Sequence, residues 1–132
     1  MKTVIIFVCC VVAAMADLPA SERTFLKQVH DACQSNPKTF CDENKLRNLS
    51  NNINDPQVGI HMSCMAIKAG LQHPNGQLNI PTMRIKVGLV VDQSKVEGVI
   101  QKCAKTAENP GKTANLMWVC FVKNNVEYYH KL

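Results

Sequence analysis

Five cysteines behind an N-terminal leader constrain this chain more than any other feature. Met1-Lys2 precedes the apolar run Val4–Ala14, which reaches the small-residue site Ala14-Met15-Ala16. Charge, hydrophobe and A-x-A site in that order read as a secretory signal peptide, with cleavage expected after Ala16. The competing reading is an N-terminal anchor, but the run is too short to span a bilayer comfortably, and no later stretch is apolar for long enough. Of seven cysteines, Cys9 and Cys10 leave with the leader. Five remain (7 − 2 = 5): Cys33, Cys41, Cys64, Cys103 and Cys120. In a secreted protein most are expected to pair, and the odd number leaves one over. Two bridges among five cysteines allow fifteen arrangements (five choices of the odd one, three pairings each), and spacing alone does not choose among them.

Without the leader the chain is Asp17–Leu132, or 132 − 16 = 116 residues. That is one small domain, which buries roughly 65% of its unfolded surface and gains from crosslinks. Loss of Lys2 lowers the formal charge from +5 to +4. The positive charge is scattered, with no basic, aromatic-interleaved patch, so no nucleic-acid partner is expected.

The apolar spacing predicts six helices. The first runs from Ser21, as N-cap, to about Cys33, with Phe25, Leu26, Val29, Ala32 and Cys33 on one face. Pro37 breaks the chain. A short second helix spans about Asp42–Asn51, with Leu46 and Leu49 inward. The third, Pro56–Gly70, has Asp55 to cap it, Pro56 in its first turn and Gly70 at its end. Val58, Ile60, Met62, Cys64, Met65, Ile67 and Ala69 give it too many apolar positions for a surface helix, so it reads as central. His73-Pro74-Asn75-Gly76 is a tight turn, after which Leu78 and Ile80 return to the core. A fourth helix from near Pro81 carries Met83, Val87, Val90 and Val91; a strand is the alternative, but nothing evident would pair with it. Ser94 caps a fifth, carrying Val96, Val99, Ile100, Cys103, Ala104 and Ala107. Asn109-Pro110-Gly111 ends it, and a sixth begins at Thr113 with Leu116, Met117, Cys120 and Phe121 inward. The tail Val126–Leu132 is left unassigned.

A leader, a mature chain of this length, six helices and this cysteine spacing together resemble the insect odorant-binding proteins of the pheromone/general-odorant-binding superfamily. That family's pattern has six cysteines, bridged first to third, second to fifth and fourth to sixth, with the second one helical turn before the third. Cys33 matches the first, Cys64 the third, Cys103 the fourth and Cys120 the sixth. The second falls at Ile60 and the fifth at or near Gly111, so both ends of one bridge are missing, as in the four-cysteine "minus-C" subgroup. The resemblance covers essentially the whole mature chain. It implies the bridges Cys33–Cys64 and Cys103–Cys120; closing a loop like the second stabilises by about 3 kcal/mol. Cys41 departs from the pattern and is left to stay free, mediate a dimer or compete for a bridge. Ile60 is expected to face the sixth helix near Gly111.

The resemblance further implies an all-α, disulfide-crosslinked domain around an internal apolar cavity. Its function would be carriage of small hydrophobic molecules, odorants or pheromones, in extracellular fluid. Catalysis and cofactors are not expected. The expected partners are a small apolar ligand and an olfactory receptor, and the expected state is a monomer or weak homodimer without stable membrane insertion. The alternative is a secreted structural, glandular or haemolymph protein of the same fold. Met62, Met65, Leu78, Met83, Val87, Met117 and Phe121 are the expected pocket residues, methionine suiting a surface that accepts varied ligands. Trp118 neighbours them and is read as facing either way.

Other constellations compete. His30 with Cys33 and His61 with Cys64 each share a helix face and would make a Cys2His2 zinc site if the helices met. An oxidising compartment opposes this, because the same two cysteines would form a disulfide. His30-Asp31 resembles the pair of a secreted phospholipase, but adjacent helical residues point apart and no Gly-rich calcium loop is present. No G-x-S-x-G, H-E-x-x-H or P-loop occurs. His30, His61, His73 and His130 read as surface groups or as tuners of ligand release as pH falls. Asn48-Leu49-Ser50 is an N-glycosylation sequon.

Overall fold

Asparagine and aspartate punctuate this chain. The structure, a computed structural model, describes residues 17–132; the expected leader lies outside the described residues. Four helices begin where an Asp or Asn carboxyl or amide oxygen accepts a backbone N–H that the helix leaves unpaired. Asp42 accepts from Asn44 at α2 (Glu43–Leu46), and Asp55 from Gln57 and Val58 at α3 (Pro56–Lys68). Asn79 accepts from Thr82 at α4 (Ile80–Val87), and Asn109 from Lys112 at α6 (Pro110–Lys123). The remaining helices are α1 (Ala20–Ser35) and α5 (Val96–Cys103). Among the described residues the fold is all-α with six helices, as expected. Among the described residues there is no strand, only an isolated bridge between Gln72 and Leu78.

Several helix ends differ from the sequence expectation. Pro19 caps α1 rather than Ser21, because its carbonyl takes the N–H groups of Glu22 and Arg23. The expected second helix divides into α2 and a 3₁₀ turn, Leu49–Asn51. Helix α4 stops at Val87, before Gly88, although Val90 is still buried in the turn beyond. Asp92, not Ser94, is the cap: its carboxylate accepts the Ser94 N–H in a 3₁₀ turn, Gln93–Lys95, which leads into α5. The largest shift concerns Asn109-Pro110-Gly111. It begins α6 instead of ending α5: proline without an N–H suits the first turn, where that donor would be unpaired anyway.

Helix α3 is the centre, as its composition requires. It packs most extensively on α6 and also on α1. Disulfides join Cys33 at the end of α1 to Cys64 in α3, and Cys103 at the end of α5 to Cys120 in α6. Cys41 is free and wholly buried. Burial, and then the charge of Asp55, pushes its thiol up to about 11, so little of the reactive thiolate forms at neutral pH.

Where the resemblance places the missing bridge between α3 and α6, two glycines touch. A Cβ on Gly111 would stand 2.8 Å from the carbonyl carbon of Gly59, and one on Gly59 would stand 3.1 Å from that of Gly111. The residue that meets Gly111 is therefore Gly59. Ile60, expected in that place, is 51% exposed.

Two outcomes are expected. Gly111→Ala pushes the helices apart and costs about 1–3 kcal/mol, lowering Tm by several degrees. Gly98→Ala, in an open position of α5, removes only a helix-weakening glycine and stabilises by about 0.5–1 kcal/mol. Thermal denaturation of both variants checks the contrast. Separately, a thiol reagent added to the oxidised, leaderless protein is expected to find one reactive group after unfolding and almost none before.

Candidate ligand-binding cavity

Burial of broad faces on α3 and α6 leaves a space between them that the core does not fill. It is a cavity of about 520 Å³, half open to solvent rather than internal as expected, and within the usual range for small-molecule sites. Met62, Met65 and His61 of α3 and Trp118, Val119 and Val122 of α6 form much of its wall. His30 of α1 and Leu46, Arg47, Leu49 and Ser50 of the α2 region add to it, and the tail Tyr129–Leu132 closes one side. The exposed cations Arg47, Lys123 and Lys131 stand at its margin. Lys131 pairs with Glu127 at 2.8 Å.

Of the seven residues expected from the sequence, Met62 and Met65 line this cavity. Met83, Val87, Met117 and Phe121 are fully buried in the packed core outside it, and half-buried Leu78 also lies outside. The reason is helical phase. Met117 and Phe121 share one stripe of α6, while Trp118 and Val122 share the next, about 100° around. Apolar spacing identifies both stripes without saying which one faces space. Trp118 is fixed from both sides: its Nε1 donates to the Met62 carbonyl at 3.1 Å, and its ring meets Phe121 edge-on, 6.0 Å between centroids.

The tail reaches the cavity because it is anchored just before it. Asn125 takes a left-handed φ of 56° after α6, and asparagine tolerates that better than most residues. The reversal buries Val126 and Tyr128. The Tyr128 hydroxyl donates to Glu22 Oε1 at 2.7 Å, and Lys86 Nζ donates to the same oxygen at 2.8 Å. Burial opposes ionisation of Glu22, but the hydrogen bonds from Lys86 and Tyr128 more than offset it and hold its carboxyl below the usual value. Burial and Glu22 together push the Tyr128 phenol far up. Lys86 Nζ also lies 5.4 Å from the Phe25 ring centroid and 5.6 Å from that of Tyr128.

Three histidines gather on the cavity wall. The His30 ring lies 5.4 Å from that of His61 and 4.7 Å from that of His130. His30 Nε2 is 3.1 Å from Glu43 Oε1, and His61 Nδ1 is 2.9 Å from the Thr39 carbonyl. Burial pulls both His61 and His130 below the ordinary histidine value, and a charge on His30 would lower each further. Glu43 opposes the shift at both, as does Asp31 at His130. His73 stands apart on the surface. The sequence singled out these residues as histidines, but nothing in their spacing placed His130 against His30.

The competing chemistries meet specific obstacles. Cys33 and Cys64 are bonded to each other, which removes both thiolates that the zinc reading required. Among the described residues no group of three or more His, Cys, Asp or Glu side chains is arranged to hold a metal ion. Asp31 pairs with Lys27 at 2.8 Å, while His30 turns to Glu43, so the His–Asp pair of a phospholipase is not formed. Asn48 of the sequon is exposed and donates to the Asn44 carbonyl. No helix among the described residues is long and apolar enough to cross a membrane.

No curated protein matches the sequence significantly. A family model described as PBP/GOBP family matches residues 15–124, most of the helical domain together with the end of the expected leader. An all-helical, doubly bridged domain with a largely apolar, half-open cavity agrees with that match, and the chain belongs to the PBP/GOBP family.

Proposed function

We propose that this protein is a secreted carrier that takes odorants, pheromones or similar small hydrophobic molecules into the cavity between α3 and α6. The observation that carries the reading is the cavity itself: about 520 Å³, walled by Met62, Met65, Trp118 and Val119, and closed on one side by an anchored tail. Transfer of an apolar molecule from water into such a space is favourable in proportion to the area it buries. The methionines let the wall adapt to different shapes. Membership of a family of small odorant- and pheromone-binding carriers supports the same reading. Residues 1–16 serve as the secretory leader, and two disulfides suit an oxidising extracellular fluid. Within the family we place the chain in the four-cysteine subgroup, with Cys41 as an added buried thiol.

The test is displacement of an apolar fluorescent probe from the oxidised protein by a panel of alcohols, aldehydes, esters and fatty acids. Micromolar displacement is expected. Binding is also expected to change the emission of Trp118, the only tryptophan of the chain, because it lies on the cavity wall. Failure of the whole panel to displace the probe or to perturb Trp118 overturns the proposal.

Stability is expected to follow the cavity histidines between pH 5 and 7.5. The folded values of His61 and His130 are lowered from 6.5. In the window below 6.5 the unfolded chain therefore binds more protons than the folded one. Folding stability rises with pH through that window and falls on acidification. The lowered carboxyl values of Glu22 and Asp55 act in the same sense only at lower pH. Melting curves across the range check the sign; a Tm that climbs from pH 7 to pH 5 contradicts it.

A further inference from the structure

We propose that His61 selects, among apolar ligands, those that carry a hydroxyl group, by offering it a hydrogen-bond acceptor on the inner wall of the cavity. The inference rests on the carrier reading above and adds the chemical class of the ligand's polar end.

The argument starts from Thr39. A carbonyl oxygen only accepts, so the 2.9 Å contact from His61 Nδ1 requires Nδ1 to carry the proton. Full burial disfavours the imidazolium, which leaves the neutral ring. In that tautomer Nε2 has a lone pair and no hydrogen. Nε2 is covered by its neighbours and has no hydrogen-bond partner in the protein, so a ligand's donor reaches it by displacing a neighbouring atom of the cavity wall. The other such side-chain atoms among the described residues are Glu43 Oε2 and Asn115 Oδ1. Of the three residues, only His61 lines the cavity. A ligand that donates a hydrogen bond there satisfies a buried acceptor at the moment it buries its own donor. An ether, ester or aldehyde brings a second acceptor and leaves both unpaired.

A carboxylate has no proton to give and would find its counter-charges at the margin, where Arg47 and Lys123 stand exposed. The two heads therefore predict different ends of the cavity, and matched ligands separate them.

The experiment uses the full mature chain, oxidised, at pH 7.5, with N-phenyl-1-naphthylamine as the displaced probe. The competitors are a long-chain primary alcohol, its methyl ether, and the aldehyde and carboxylate of equal chain length. The alcohol is expected to bind roughly tenfold tighter than the ether and the aldehyde, the scale of one net hydrogen bond to a buried acceptor. His61→Asn keeps an N–H for Thr39 at the place of Nδ1 and removes Nε2; its amide oxygen falls at the place of the ring's Cδ2, short of where Nε2 stood. In that variant the alcohol is expected to fall to the level of the ether, with ether affinity little changed. In parallel, nitrogen NMR of the unmodified protein labelled at histidine is expected to show an unprotonated Nε2 at His61 that shifts on addition of the alcohol and not of the ether. This measurement decides the matter if the variant does not fold.

Equal affinities for alcohol and ether in the unmodified protein overturn the proposal while leaving the carrier reading intact. So does a preference that survives in His61→Asn, or a carboxylate that binds tighter than the alcohol. If neither probe nor competitor binds, the carrier reading itself fails and this inference falls with it.

Discussion

The contact of Gly59 with Gly111 decides how α3 and α6 lie, and most of the structure follows from that. A Cβ on Gly111 has no room and one on Gly59 would be tighter than an ordinary contact, so the two backbones approach closely. One turn further along α3, the Met62 carbonyl receives Trp118 Nε1 from α6. A buried indole with its only donor satisfied is a rigid wall element. The close approach at one point and the indole at the next set the cavity between Met65, Val119 and Val122. A third disulfide would hold the helices covalently at this place. Two glycines hold them instead by excluding any side chain, which fixes their separation without a bond.

The tail completes the site through a different kind of interaction. Glu22 sits in α1, Lys86 in α4 and Tyr128 in the tail, and all three meet at one carboxylate oxygen. Lys86 and Glu22 are each about four-fifths buried, a costly setting for an ion pair unless its remaining hydrogen-bonding capacity is also used. Tyr128 uses part of it, and the Phe25 and Tyr128 rings lie within reach of the ammonium. The network thus ties three distant segments together. The residues immediately after its last member are those that line the cavity.

Much of the fold was legible in the sequence because capping chemistry is local. Asp55-Pro56 marks the start of α3 by residue type alone, and the disulfide partners follow from family spacing. The errors arose where a local signal fits two structures. Asn109-Pro110-Gly111 reads as a stop or as a start; Asn109 caps Lys112 and Gly111 packs on Gly59 with the segment as a start. Val90 continues the apolar pattern of α4 past its end because a turn can bury a residue as well as a helix can. The candidate site was less legible. Helical spacing places Met117 and Trp118 on α6 equally well, and the difference between core and cavity wall is only a rotation. The anchoring of Tyr128 on Glu22 links residues at opposite ends of the chain, and no short-range pattern encodes it.

The histidines on the wall are the part of the site least like a packed core. A phenylalanine at position 61 would bury more apolar surface and carry no unpaired acceptor of its own, but would lose the hydrogen bond to the Thr39 carbonyl. An unpaired buried acceptor costs about 1–3 kcal/mol, a noticeable fraction of a small domain's stability. His61 recovers part of that through Thr39, which ties the loop before α2 to the central helix. The remainder is recovered only when something in the cavity donates to Nε2. Stability and occupancy are then linked: a molecule that binds the folded state alone stabilises it in proportion to its affinity. With His61 the cavity has a preferred polarity at one point, which an entirely apolar wall would lack.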